Sequence, residues 1–137
     1  MFQQEITVTA EVKNLETVTA FVDECLERYG CSPRAQMQLD VAVDELFSNI
    51  AYYAYQPGTG TVTVRLEIAE EPAAAILTFI DGGTPYDPLS HEDPDITLSA
   101  QERQIGGLGI YMVKKSMDAV SYQYKDGKNV LRIKKYL

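Results

Sequence analysis

Apolar positions recur along this chain with two periods, and each switch between them marks the edge of an element. Residues 5 to 12, EITVTAEV, alternate polar and apolar as a half-buried strand does. The period then lengthens to that of a helix over NLETVTAFVDECLERYG, where Asn14 is the expected cap, Glu16 faces the dipole favourably and Gly30 ends the run. Ser32 as cap and Pro33 in the first turn open a second helix, predicted to continue through RAQMQLDVAVDELFSNIAYYAY until Pro57 and Gly58 stop it. Alternation returns in TVTVRLEIA from Thr61 and, after the turn residues Glu70, Glu71 and Pro72, in AAILTFID, so two neighbouring antiparallel strands are expected.

Between Gly82 and Gly107 no period holds, and a long structureless segment in a small domain is often a lid or binding loop. Ile110, Val113 and Met117 then share one helical stripe, predicting a short helix over LGIYMVKKSMD. The last segment, AVSYQYKDGKNVLRIKKYL, reads as two strands joined at Asp126-Gly127, a strong hairpin signal. The resulting order, β-α-α-β-β-loop-α-β-β, predicts a two-layer α/β sandwich with a mixed or antiparallel sheet and helices on one face.

At 137 residues the chain suits one domain, 1–137, with a core of its own. Twenty acidic against 12 basic residues give a net charge of −8, which argues against broad attraction to nucleic acid. The charge is uneven. Asp87, Glu92, Asp93, Asp95 and Glu102 stand together without a cation, whereas Lys125, Lys128, Arg132, Lys134 and Lys135 face only Asp126. Such asymmetry fits a solvated face and equally the steering of a protein partner. No run approaches the ~20 apolar residues of a membrane span, and the first residues lack a signal-peptide pattern, so a cytoplasmic protein is expected. Cys25, Cys31 and the single His91 do not make a zinc site.

Three segments carry candidate chemistry. In the second helix Glu45, Asn49, Tyr52 and Tyr53 fall on one face beside apolar neighbours. An Asn oxygen suits Mg²⁺ shared with nucleotide phosphates, and a Glu one turn away can accept a proton, although a solvent-facing pair fits the segment as well. Asp81 ends a strand and enters DGGTPYDP, where its carboxylate could take the amino hydrogen of a base, or simply begin a turn. The stretch IGGLGIYMVKK sets Gly106, Gly107 and Gly109, with Leu108 between them, at the start of a helix, which makes an anion site or only a turn. Neither a Walker loop nor a dinucleotide fingerprint is present.

In this order and spacing the three segments resemble the N, G1 and G2 boxes of the GHKL ATP-binding (Bergerat) fold, shared by gyrase, Hsp90, histidine kinases and MutL. The wording is most similar to anti-sigma factor serine-protein kinases of the RsbW type, in DELFSNIAYYAY, DGGTPYDP and GGLGIYMVKKSMD, and in the terminal strands. The resemblance implies ATP and Mg²⁺ as cofactors, Glu45 as general base, Asn49 as Mg²⁺ ligand, and Asp81 as the adenine-reading residue. It also implies Gly83, Gly107, Leu108 and Gly109 around the nucleotide and a lid over about 89–105, in which Arg103, by its charge and position alone, is the candidate for contacting the phosphates. Proteins of that type phosphorylate a STAS-domain antagonist and bind a sigma factor, often as homodimers. A non-catalytic ATP-binding interaction module is the alternative. Two positions depart from the pattern: Tyr53 stands where many relatives have His, and Asn129-Val130 where other branches place a Thr that supports the adenine-bound water.

Overall fold

The structure, a computed structural model, describes residues 2–90 and 108–137. Five strands, β1 (Phe2–Thr9), β2 (Thr61–Ala69), β3 (Ala74–Asp81), β4 (Ala119–Lys125) and β5 (Lys128–Tyr136), form one sheet in the order β1-β2-β3-β5-β4. Every neighbouring pair is antiparallel, which resolves the expected mixed or antiparallel sheet. Helices α1 (Leu15–Arg28), α2 (Pro33–Asn49) and α3 (Leu108–Ser116) pack on one face.

Strand parity decides which side chains meet them. Val62, Val64, Leu66 and Ile68 of β2 stand in register with Asp81, Phe79, Leu77 and Ala75 of β3, and all eight are buried. Leu131 and Ile133 of β5 continue the same face. Against it α1 sets Val18, Val22 and Leu26, and α2 sets Leu39, Val43, Leu46 and Phe47. Ile110, Val113 and Met117 of α3 are buried as their stripe predicts. The β4–β5 hairpin turns at Asp126 (φ 56) and Gly127 (φ 76), a left-handed pair that matches the strand twist.

Three local expectations change. The first strand is Phe2–Thr9 rather than 5 to 12, because Phe2 packs on Tyr29 with ring centroids 4.6 Å apart and Val12–Asn14 turns into a short 3₁₀ segment. Asn14 occupies the position before α1 but does not cap it. Its Nδ2 donates instead to the Thr9 carbonyl (2.9 Å) and Thr9 Oγ1 (2.6 Å), closing the strand's exit. Ser32 does cap α2, accepting from the Ala35 N–H at 3.2 Å.

The third change matters most for the site. The second helix is regular only to Asn49, and Ile50–Ala54 widens into a π-helical turn, a form that recurs at functional sites. The carbonyl of Ala54, at the end of that turn, accepts the Thr84 N–H at 2.8 Å. Tyr55, just beyond, donates its hydroxyl to the Thr61 carbonyl (2.5 Å) and accepts the Gly82 N–H (2.7 Å). The end of the helix is thereby strapped to the start of β2 and the loop leaving β3.

Candidate functional site

That strap leaves a cavity of about 220 Å³ between the end of α2, the 82–88 loop and the β5–β4 hairpin. Asn49, Tyr53, Asp81, Tyr86, Tyr122 and Asn129 supply its polar groups, and Leu46, Ile50 and Leu131 its floor. Concave, mainly apolar walls with a few convergent polar groups describe a small-molecule site. Its volume is below the roughly 300–1,000 Å³ of a drug-sized ligand pocket, so it has room for only a fragment of such a molecule.

Asp81 ends β3 on the inward parity and is only 5% exposed. Its Oδ1 accepts from the Gly83 N–H (2.9 Å) and from Asn129 Nδ2 (3.0 Å). No described residue donates to Oδ2, so one oxygen of a wall carboxylate is left for a ligand donor. Gly83 is required by space: a Cβ there would fall 2.2 Å from the Ala54 carbonyl oxygen and 2.6 Å from its carbon.

The predicted helix-face cluster divides. Asn49 and Tyr53 line the cavity, while Tyr52 is not among its walls. The helix residues on the wall, Leu46, Asn49, Ile50, Tyr53 and Ala54, follow i, i+3, i+4, i+7, i+8 spacing, and Tyr52 falls off that face and is exposed. Asn49 Nδ2 donates to Glu45 Oε1 at 3.5 Å, which leaves the amide oxygen without a described donor. Glu45 itself lies outside the cavity wall and against α3. A Cβ on Gly109 would fall 2.1 Å from Glu45 Cδ, 2.2 Å from Oε2 and 2.3 Å from Oε1, so the carboxylate rests where any other residue would put its side chain. Burial is the main force pushing the Glu45 pKa above its ordinary value, the Asp44 charge adds to it, and the Asn49 hydrogen bond opposes both.

The three segments therefore converge, with Asn49 and Asp81 on one cavity and Gly109 on Glu45 beside it. Gly106, Gly107, Arg103 and residues 91–105 of the expected lid lie outside the described residues, and so does the side chain of Leu108.

A protein-family model described as the histidine kinase-like ATPase domain matches residues 8–135. The chain belongs to this family. Among curated proteins similar to this chain, the serine/threonine-protein kinase BtrW of Bordetella bronchiseptica is 31% identical over 102 residues, covering 74% of this chain and 71% of its own. The serine-protein kinase RsbW of Listeria monocytogenes is 30% identical over 112 residues, covering 78% and 70%. A solved structure of the RsbU and RsbW domains of a Mycobacterium tuberculosis protein superposes on the whole chain with a TM-score of 0.69 at 17% identity, over 33% of its own length. Its likeness is one of fold, the antiparallel sheet with helices on one face.

Asn129, which the sequence marks only as a departure from a Thr in other branches, proves to be bonded to Asp81 in the cavity wall. A signal was there, because in KNVLRIKKY Asn129 shares the inward parity of Leu131 and Ile133, and a polar residue on a core parity needs partners. Tyr55 and Ala54 carried no such signal. Their roles depend on where the 82–88 loop lands.

Proposed function

We propose that this histidine kinase-like ATPase domain is an ATP-dependent protein serine kinase. Its phosphoacceptor is a serine of a small STAS-domain antagonist, and it also binds a sigma factor. The single observation that carries the chemistry is that Asn49 and Asp81 line one cavity while Glu45, just outside its wall, accepts a hydrogen bond from Asn49. The names of the similar kinases from Bordetella and Listeria support the reaction type. The partner classes follow from the resemblance to RsbW-type proteins.

The residues present fit the expected cofactors. The unshared Oδ2 of Asp81 is an acceptor suited to an exocyclic amine, and the free amide oxygen of Asn49 is a hard ligand suited to Mg²⁺. Asn49 is the described residue that would hold Mg²⁺, an ion that commonly shares phosphate oxygens and water with only one or two protein groups. When bound, Mg²⁺ offsets the charge of the phosphate oxygens.

Glu45 acts on the acceptor. The serine Oγ attacks the terminal phosphorus, the new O–P bond forms as the bond to the bridging oxygen breaks, and the serine proton passes to a Glu45 carboxylate oxygen. Partial burial makes Glu45 a stronger base than a solvated glutamate, while Asn49 keeps its carboxylate oriented. Incubation of the protein with a STAS-domain antagonist and Mg-ATP, read by phosphoserine mass spectrometry, is the test. Wild type is expected to transfer phosphate and Glu45→Ala not to. Absence of transfer by wild type refutes the kinase reading, and nucleotide binding without transfer points to the interaction module instead.

A further inference from the structure

Asn129 joins more of the cavity wall than either Asn49 or Asp81 does. It is 6% exposed and stands opposite Asp81 in the β3–β5 register. Its Nδ2 donates to Asp81 Oδ1 (3.0 Å), to the Thr84 carbonyl (3.0 Å) and, at longer range, to the Gly83 carbonyl (3.5 Å). Its Oδ1 accepts from the Tyr86 N–H (3.1 Å) and from the Tyr122 hydroxyl.

The polarity of these partners admits one side chain. Three acceptors face the nitrogen and two donors face the oxygen, so the amide cannot be turned over. A carboxylate in its place would set oxygen against three oxygens. The same arrangement decides which oxygen of Asp81 faces outward. With Oδ1 held by the Gly83 N–H and Asn129 Nδ2, Oδ2 is the oxygen left to the ligand, and it can only accept.

We propose that Asn129 is the positioning residue for base selection: it holds Asp81 so that a lone acceptor faces the cavity, which favours a 6-amino purine and rejects a 6-keto one. The inference rests on the nucleotide reading above. Without the amide, Asp81 keeps only the Gly83 N–H to fix its carboxylate and the 84–86 backbone loses its side-chain anchor to β5. Discrimination between bases should then fall further than affinity for the triphosphate, because contacts to phosphate and metal lie elsewhere.

The test is calorimetric titration of the full chain with Mg-ATP and with the magnesium salt of inosine triphosphate, which differs by a keto oxygen in place of the amine. Wild type is expected to prefer ATP by at least about 30-fold, since a site built for a donor is left unpaired by the analogue. Asn129→Asp, which keeps the shape and both acceptor bonds but loses the donors, and Asn129→Ala should bring the ratio within about threefold. Circular dichroism confirms that each variant is folded. If either folded variant keeps the wild-type ratio, the inference is overturned while the nucleotide reading stands. If wild type binds neither nucleotide, both fall. Should neither variant fold, the Asn129 side-chain amide protons in ¹⁵N-labelled wild type decide. Slow exchange that persists with ADP bound supports the role, and exchange as fast as a solvated amide overturns it.

Discussion

Gly109→Ala separates catalysis from stability in this fold, and the structure sets both magnitudes. In an ordinary helix position alanine is favoured over glycine by about 1 kcal/mol. Here the added methyl would lie 2.1–2.3 Å from the Glu45 carboxyl atoms. Those atoms end a flexible side chain, so Glu45 can swing aside, giving up only the 3.5 Å bond from Asn49. A long bond of that kind is worth about 0.5 kcal/mol, so the net change in stability should stay within about 1 kcal/mol of zero. Phosphoryl transfer should behave differently. A displaced general base costs about 10²–10³ in rate, or roughly 3–4 kcal/mol of barrier. The assay measures phosphoserine formation on the STAS-domain partner at saturating ATP, with thermal melting alongside. Because both changes act on one carboxylate, the double variant Gly109→Ala/Glu45→Ala should be no slower than Glu45→Ala alone. A folded Gly109→Ala protein with transfer within threefold of wild type would refute the reasoning. So would a double variant whose losses multiply.

Gly83→Ala should contrast with it, since the clash is with the Ala54 backbone, which cannot swing away; about 1–3 kcal/mol of stability and much of the nucleotide affinity should be lost together, and an unchanged melting temperature would count against the packing described. The raised pKa of Glu45 means that its base form appears only above the ordinary glutamate range of about 4.3. The acid limb of the rate profile should therefore lie above that value, and a limb at or below it would exclude Glu45 as the base. Asp40 is pushed up to about 7, by burial first and then by hydrogen bonding and repulsion from Asp23 and by the charge of Glu27. The native state thus holds a proton that the unfolded chain releases near 3.8, so stability is full below that value and falls as pH rises through about 7. Asp40→Asn should stabilise the protein by about 1–2 kcal/mol at pH 8, allowing for partial exposure, and by less at pH 5. Equal gains at the two pH values would contradict the shared proton.

Much of this was legible from the chain alone because it is encoded locally. Alternation located β2 and β3 and the hairpin at Asp126-Gly127, helical spacing located the buried stripe of α3, and Ser32-Pro33 started α2 where the structure starts it. The Glu45/Asn49 pair and Asp81 were visible as residue types at a turn's spacing and at a strand's end. Local patterns were less reliable at junctions. Asn14 has the chemistry of a cap and uses it on Thr9, and a helical run ending in IAYYAY gives no sign that its last turn is π.

What only the tertiary structure decided is which of these groups meet. Gly109 touching Glu45, Asn129 holding Asp81 and Ala54 anchoring the 82–88 loop all join segments far apart in the chain. Periodicity says which face of an element is buried, since that depends on neighbours within a turn or a strand. It does not set the register of one strand on another or the approach of one helix to the next. Those follow from packing the whole core at once, and they decide that Asp81 and Asn129 meet in one cavity wall and that Gly109 meets Glu45 beside it.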